Sequence, residues 1–187
     1  MLFLMSEIIF LGTAGGRMVV ATQLRKSGGM WLVLNGKNIL LDPGPGCLMR
    51  SVELGFRPGK LDCIILSHKH IDHSNDINIM IEAMSGGSFR PRGVLLAPRD
   101  ALEGEDPVVL RYVRRYIRNN IKVLHVARPG TAILNHFGMQ VVKAGPDAIA
   151  RRIEVETGVP TIAAADGMRF SLDTGKTIVE SKINSFI

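Results

Sequence analysis

The 187-residue sequence predicts an α/β fold from three observations. Short apolar runs rich in β-branched residues, such as Ile8-Ile9-Phe10-Leu11 and Cys63-Ile64-Ile65-Leu66, read as buried strands. Between them lie segments with helical spacing of apolar residues: Ile77, Met80, Ile81 and Met84 in one, Ile149, Ala150 and Ile153 in another. Chemistry-bearing residues cluster where a strand ends, which is where open α/β sheets present their ligand sites. With 46% apolar residues, the chain can bury a sizeable core in one domain spanning 1–187.

The elements follow in order. The apolar start Met1-Leu2-Phe3-Leu4-Met5 lacks a basic region and is broken by Ser6-Glu7, so it reads as the approach to the first strand and not as a secretory signal. That strand runs into the loop Gly12-Thr13-Ala14-Gly15-Gly16. Trp31-Leu32-Val33-Leu34 and Asn38-Ile39-Leu40-Leu41 form a hairpin, which ends in the turn Asp42-Pro43-Gly44-Pro45-Gly46. Asp42 is expected there to support the neighbouring loop through hydrogen bonds, the alternative being ordinary turn chemistry with Pro43 and Gly44 punctuating a hairpin. The strand 63–66 leads into a histidine cluster, and Ser74-Asn75-Asp76 then offers N-cap choices for the next helix.

Asp106-Pro107 starts a second amphipathic helix, with Val109, Leu110, Val113 and Ile117 inward and the arginines of Arg111-Tyr112-Val113-Arg114-Arg115-Tyr116-Ile117-Arg118 on the wet face. Residues 131–139 are an apolar strand ending at His136 beside a glycine, with Asn135 turned to solvent or a neighbouring loop. Residues 147–157 form a helix stopped by Gly158, residues 161–168 a strand and turn, and Ser171-Leu172-Asp173-Thr174-Gly175 a further strand-to-turn.

Three of the five histidines fall in Ser67-His68-Lys69-His70-Ile71-Asp72-His73. Neutral imidazole and carboxylate are the usual ligands of zinc and similar divalent ions. In an extended segment residues two apart share a side, so His68, His70 and Asp72 can converge. His73, swung off that line as the helix begins, can serve a second centre beside the first, a geometry suited to activating water. The alternative is a solvated polar turn rich in histidine.

The HxHxDH string, the glycine loop 12–16, the hairpin and the Asp-Pro-Gly turn together resemble the metallo-β-lactamase superfamily of metal-dependent hydrolases. That resemblance implies an αββα sandwich, incomplete here in its second half. It makes His68 and His70 ligands of a first metal, and Asp72 and His73 ligands of a second. Asp72 would also orient the attacking water as the catalytic carboxylate. The implied cofactor is Zn2+, one or two ions, with Mn2+ or Fe2+ as alternatives. The family pattern further needs a histidine, a bridging aspartate and a last histidine. Aligning residues 130–170 with the family's closing segment makes His136 the last histidine and leaves His125 for the vacant histidine role. A competing alignment makes Asp173 the bridging aspartate and detaches His136 from the site.

Two cysteines without a CxxC pair fit a reducing cytoplasm, and no apolar run approaches a membrane span. The net charge of +6 admits an anionic partner, either a small-molecule or phosphodiester substrate or RNA held by the basic segment 111–118. The amphipathic reading of that segment is a plain solvated face. Assembly into a homo-oligomer stays open. The functional expectation is a metal-dependent hydrolase of phosphodiester or nucleic-acid-type substrates. Thioester or lactam hydrolysis is one alternative, and a metal-binding but catalytically idle scaffold is another.

Overall fold

The computed structural model describes residues 6–87, 89–117, 119–121 and 131–178. The first half runs β1 (Glu7–Phe10), α1 (Arg17–Thr22), β2 (Met30–Leu34), β3 (Lys37–Leu41), α2 (Cys47–Glu53), β4 (Cys63–Ile65), α3 (Ile71–Ser74), α4 (Ile77–Met84), β5 (Val94–Leu96) and α5 (Arg99–Leu102). The second half adds β6 (Asn119–Ile121), β7 (Ala132–Leu134), α6 (Met139–Ala144), α7 (Pro146–Thr157), β8 (Thr161–Ala163), β9 (Arg169–Ser171) and β10 (Lys176–Ile178). Eight strands form one mixed sheet in the order β10-β9-β1-β2-β3-β4-β5-β6, while β7 and β8 make a separate parallel pair. Neighbours are antiparallel from β10 to β3 and parallel from β3 to β6.

The period of two along each strand sorts the side chains into two layers. Ile9, Trp31, Leu40, Ile64 and Leu95 point to one face, where Cys47 of α2 and Ile77, Met80, Ile81 and Met84 of α4 close the core. Each of those fully buried α4 side chains contributes about 1.5–3 kcal/mol by leaving water. Trp31 stacks on Phe56 with ring centroids 4.8 Å apart and donates its indole N–H to Asn38. Ile8, Phe10, Met30 and Leu32 point to the other face, opposite Thr131 and Ile133 of the β7 segment. α7 packs on β8 and buries Ala150, and Gly158 ends it in the left-handed conformation. The layers are therefore helix, sheet, sheet and helix. Among the described residues the second sheet has two strands, the incomplete half that the sequence implied. No described helix is long and apolar enough to cross a membrane, and Cys47 and Cys63 are free thiols.

The expected amphipathic helix after Pro107 does not form. Val113–Tyr116 is a single 3-10 turn, and Leu110 is half-exposed although Val109, Val113 and Ile117 are buried as expected. Tertiary partners claim the backbone groups that a helix would have paired. The Asn78 amide donates to Val108 C=O and accepts from Leu110 N–H, both at 2.8 Å, and Val109 N–H donates to Ala101 C=O. Asp76 stands before α4 as foreseen, yet its carboxylate does not cap that helix. It accepts from Leu48 N–H at 3.2 Å and so supplies the first turn of α2, which has no acid of its own.

Candidate metal centre

The cluster lies on the edge where β1, β3 and β4 end. β4 leads through Leu66 and Ser67 into His68, Lys69 and His70, and the chain turns into α3 at Ile71. The turn after β3 fixes this loop from below. Asp42 takes a left-handed backbone (φ 51), its N–H donates to Ile65 C=O, and its carbonyl accepts from Gly44 N–H at 2.8 Å. A Cβ on Gly44 would sit 2.2 Å from the Asp72 carbonyl oxygen, so only glycine lets the turn come this close to the ligand loop. The Asp42 carboxylate is spent on support. It accepts from Ser67 N–H and Ser67 Oγ–H, each at 2.7 Å, and meets His73 Nδ1 at 2.9 Å.

Those hydrogen bonds set the local electrostatics. Burial pushes the Asp42 carboxyl upward, but the donors on His73 and Ser67 outweigh it and hold the group below its usual range. The same hydrogen bond raises His73 above an ordinary imidazole. His68 and His136 are lowered, first by burial and then by the adjacent His73 ring. With Nδ1–H given to Asp42, His73 presents its Nε2 lone pair to the cavity.

His136 is carried to the same place by the second sheet. Phe137 pairs with the loop after β1: its N–H donates to Thr13 C=O at 2.9 Å and its carbonyl accepts from Gly15 N–H at 3.0 Å. A Cβ on Gly15 would lie 2.2 Å from the His136 backbone, which explains a glycine in that loop. The loop is anchored in turn by Asp166, which accepts from Thr13 N–H and Lys26 N–H, each at 2.7 Å. Sequence reasoning missed this anchor, although its Asp-Gly turn signature was readable.

Asp72, His73 and His136 each offer a ligand atom, all within 4.8 Å of one another. Asp72 Oδ2 is 3.2 Å from His136 Nε2 and 3.9 Å from His73 Nε2. Two ligand atoms on one tetrahedral zinc stand about 3.3 Å apart, so this donor set fits a divalent ion. His68 Nε2 and His70 Nδ1 face each other at 3.1 Å, the separation of a second such pair. The His68 and His73 rings are 4.0 Å apart and those of His73 and His136 are 4.4 Å apart, so the two sets adjoin. Among the described residues no second carboxylate joins the group.

The remaining expectations fare differently. His125 lies outside the described residues. Asp173 is not brought to the cluster: β9 runs antiparallel to β1, so the turn after β9 returns to where β1 begins. There the Asp173 carboxylate accepts from Ser6 N–H at 2.7 Å, at the opposite end of β1 from the site. Of the two settings expected for Asn135, solvent does not reach its Oδ1, which is buried although the residue as a whole is half-buried. The arginines do not make a uniform basic face either. Arg114 donates to the Val109 carbonyl, Arg115 lies over the Tyr116 ring, and the acidic residues Glu103, Glu105 and Asp106 lie a few residues before this segment.

The family model described as the metallo-beta-lactamase superfamily matches residues 27–146. An uncharacterized protein of Methanocaldococcus jannaschii is 36% identical over 124 residues, which cover 66% of this chain and 46% of that protein. A ribonuclease Z of Methanopyrus kandleri is 27% identical over 106 residues, covering 55% of this chain and 37% of the relative. The chain thus spans less than half the length of these curated relatives. Among solved structures, a diphosphatase from the PhnP family is similar in fold, with a TM-score of 0.51 and 16% identity, covering 90% of this chain and 97% of that one.

Proposed function

This chain belongs to the metallo-beta-lactamase superfamily, and on that footing we propose that it is a metal-dependent hydrolase of phosphodiesters. The observation that carries the reading is the meeting of Asp72, His73 and His136 beside the facing pair His68 and His70. Asp72, His73 and His136 would hold one divalent ion, and His68 and His70 would contribute to another. Bound ions supply Lewis acidity and make a coordinated water acidic enough to ionise near neutral pH. Asp42 keeps His73 in the ligating tautomer, and Asp72 orients the attacking water. In the reaction a water oxygen bonds to phosphorus, the ester P–O bond breaks, and the departing oxygen takes up a proton. Phosphorus is favoured as the reacting centre because several curated relatives are named ribonuclease Z, which makes RNA the first polymer to assay.

The test is hydrolysis of bis(p-nitrophenyl) phosphate and of RNA by zinc- or manganese-loaded protein, beside a His68→Ala/His70→Ala variant. Turnover in the wild type and its loss in the variant are expected. A second reading is a metal-binding protein without turnover, favoured by the lack of a second carboxylate among the described residues. Stoichiometric metal with no hydrolysis of either substrate would select it.

A further inference from the structure

The loop that carries the histidines has a second side. His68 Nε2 and His70 Nδ1 face each other at 3.1 Å, so alternation along this extended stretch turns the intervening Lys69 away from the side the two imidazoles share. Lys69 is half-buried. Its ammonium group reaches the Asp106 carbonyl at 3.5 Å and, among the described residues, forms no ion pair. One long contact leaves most of the group's donor capacity and all of its charge to be met from outside.

Lys69 and Asp106 both line a cleft of about 480 Å³, the size of a small-molecule site. His70 lines it too, so the cleft adjoins the facing pair His68 and His70. Its lining is already fixed. Ser74 Oγ–H donates to the His70 carbonyl at 3.0 Å, and the Asn78 amide holds the loop after α5 at Val108 and Leu110. The lining is also mixed: Ile71, 70% exposed, and Val108 are apolar, while Asn75 and Asp106 are polar and exposed. A sugar and base have the same mixture of apolar faces and polar edges. An unpaired nucleotide can splay into such a cleft, whereas a duplex keeps its bases stacked and paired.

We propose that this cleft seats the nucleotide next to the scissile phosphate of a single-stranded RNA, with Lys69 pairing with the adjoining phosphate. The proposal rests on the phosphodiester reading of the metal centre. Because Lys69 points away from the imidazoles, the phosphate it meets is the neighbour of the one attacked. The cleft therefore selects a polynucleotide over a lone phosphodiester.

The test is fluorescence anisotropy of zinc-loaded protein with a short labelled oligouridylate whose phosphorothioate linkages keep the charge and resist hydrolysis. In Lys69→Met the plot of log affinity against log salt should lose about 0.7 of its slope, the share of one phosphate contact on a single strand. Affinity should fall about fivefold. Ile71→Glu sets a like charge against the strand at an exposed position of the lining, so it should also weaken binding and serves if Lys69→Met fails to fold. Lys60→Met, in the 3-10 turn before β4 and so at the opposite end of that strand from the histidines, should keep the wild-type slope. An abasic strand of the same length should bind more weakly than the oligouridylate. Equal slopes in wild type and Lys69→Met, equal losses in Lys69→Met and Lys60→Met, equal binding of the abasic strand, or no RNA binding by the wild type would overturn the proposal. Hydrolysis of bis(p-nitrophenyl) phosphate by the wild-type preparation separates the two ideas. Turnover with equal slopes sinks the cleft alone, and a reduced slope in Lys69→Met without turnover sinks the hydrolase reading alone.

Discussion

Replacing Asp42 by asparagine tests how the site is held, because it keeps the shape and removes one acceptor oxygen and the charge. Asp42 Oδ1 accepts from Ser67 N–H, while Oδ2 takes both Ser67 Oγ–H and His73 Nδ1. The amide oxygen of asparagine will stay with Ser67 N–H, which leaves its NH2 group facing His73 Nδ1. Two donors cannot share that contact, so His73 must move its proton to Nε2, the atom aimed at Asp72. The ligating lone pair is then lost. Removing such an orienting partner typically lowers metal affinity 10–100-fold, or about 1.4–2.8 kcal/mol. Losing the charge-assisted bond itself costs stability of about 1.5–3 kcal/mol, discounted because His73 and Asp42 are partly solvated. Zinc affinity, measured by competition with a chromophoric chelator, and the melting temperature of the metal-free protein both report on this. Affinity within twofold of wild type with an unchanged melting temperature would refute the support role.

Three further outcomes follow from the same geometry. Gly15→Ala should separate the loop after β1 from His136, because its Cβ would lie 2.2 Å from the His136 backbone; it should cost about 1–3 kcal/mol of stability in denaturant titration, and an unchanged midpoint would count against the close approach. In the metal-free protein the His73 ring should titrate above the ordinary 6.5 by NMR and fall back in Asp42→Asn, since its raised pKa comes from the Asp42 hydrogen bond. Just above pH 6.5 the wild-type ring is therefore still partly protonated, so zinc binding should expel more protons from wild type than from Asp42→Asn; equal release in calorimetry across buffers of different ionisation enthalpy would contradict the sign.

The legible parts of the site were those written in local sequence. A β-branched run followed by closely spaced histidines and an aspartate marks a strand end with candidate ligands, and the supporting turn at Asp42 could be read from Asp-Pro-Gly after an apolar strand. His136 was legible as another strand-end histidine, and 147–157 as a helix with a glycine stop. The misreadings came from tertiary partners that no local pattern encodes. Asn78, in α4, satisfies the backbone on both sides of Val109 and so removes the need for the helix that the apolar spacing implied. Asp173 looked suitable by its strand-to-turn context, but the antiparallel pairing of β9 with β1 sends that turn to the wrong end of the sheet.

The central claim is that Asp72, His73 and His136 act together on one divalent ion. Elemental analysis after exhaustive dialysis against metal-free buffer tests it most directly, comparing wild type with His73→Ala/His136→Ala. The account predicts retained metal in the wild type and at least one equivalent less per chain in the double variant. Equal metal content in the two proteins, each folded by circular dichroism, would contradict it.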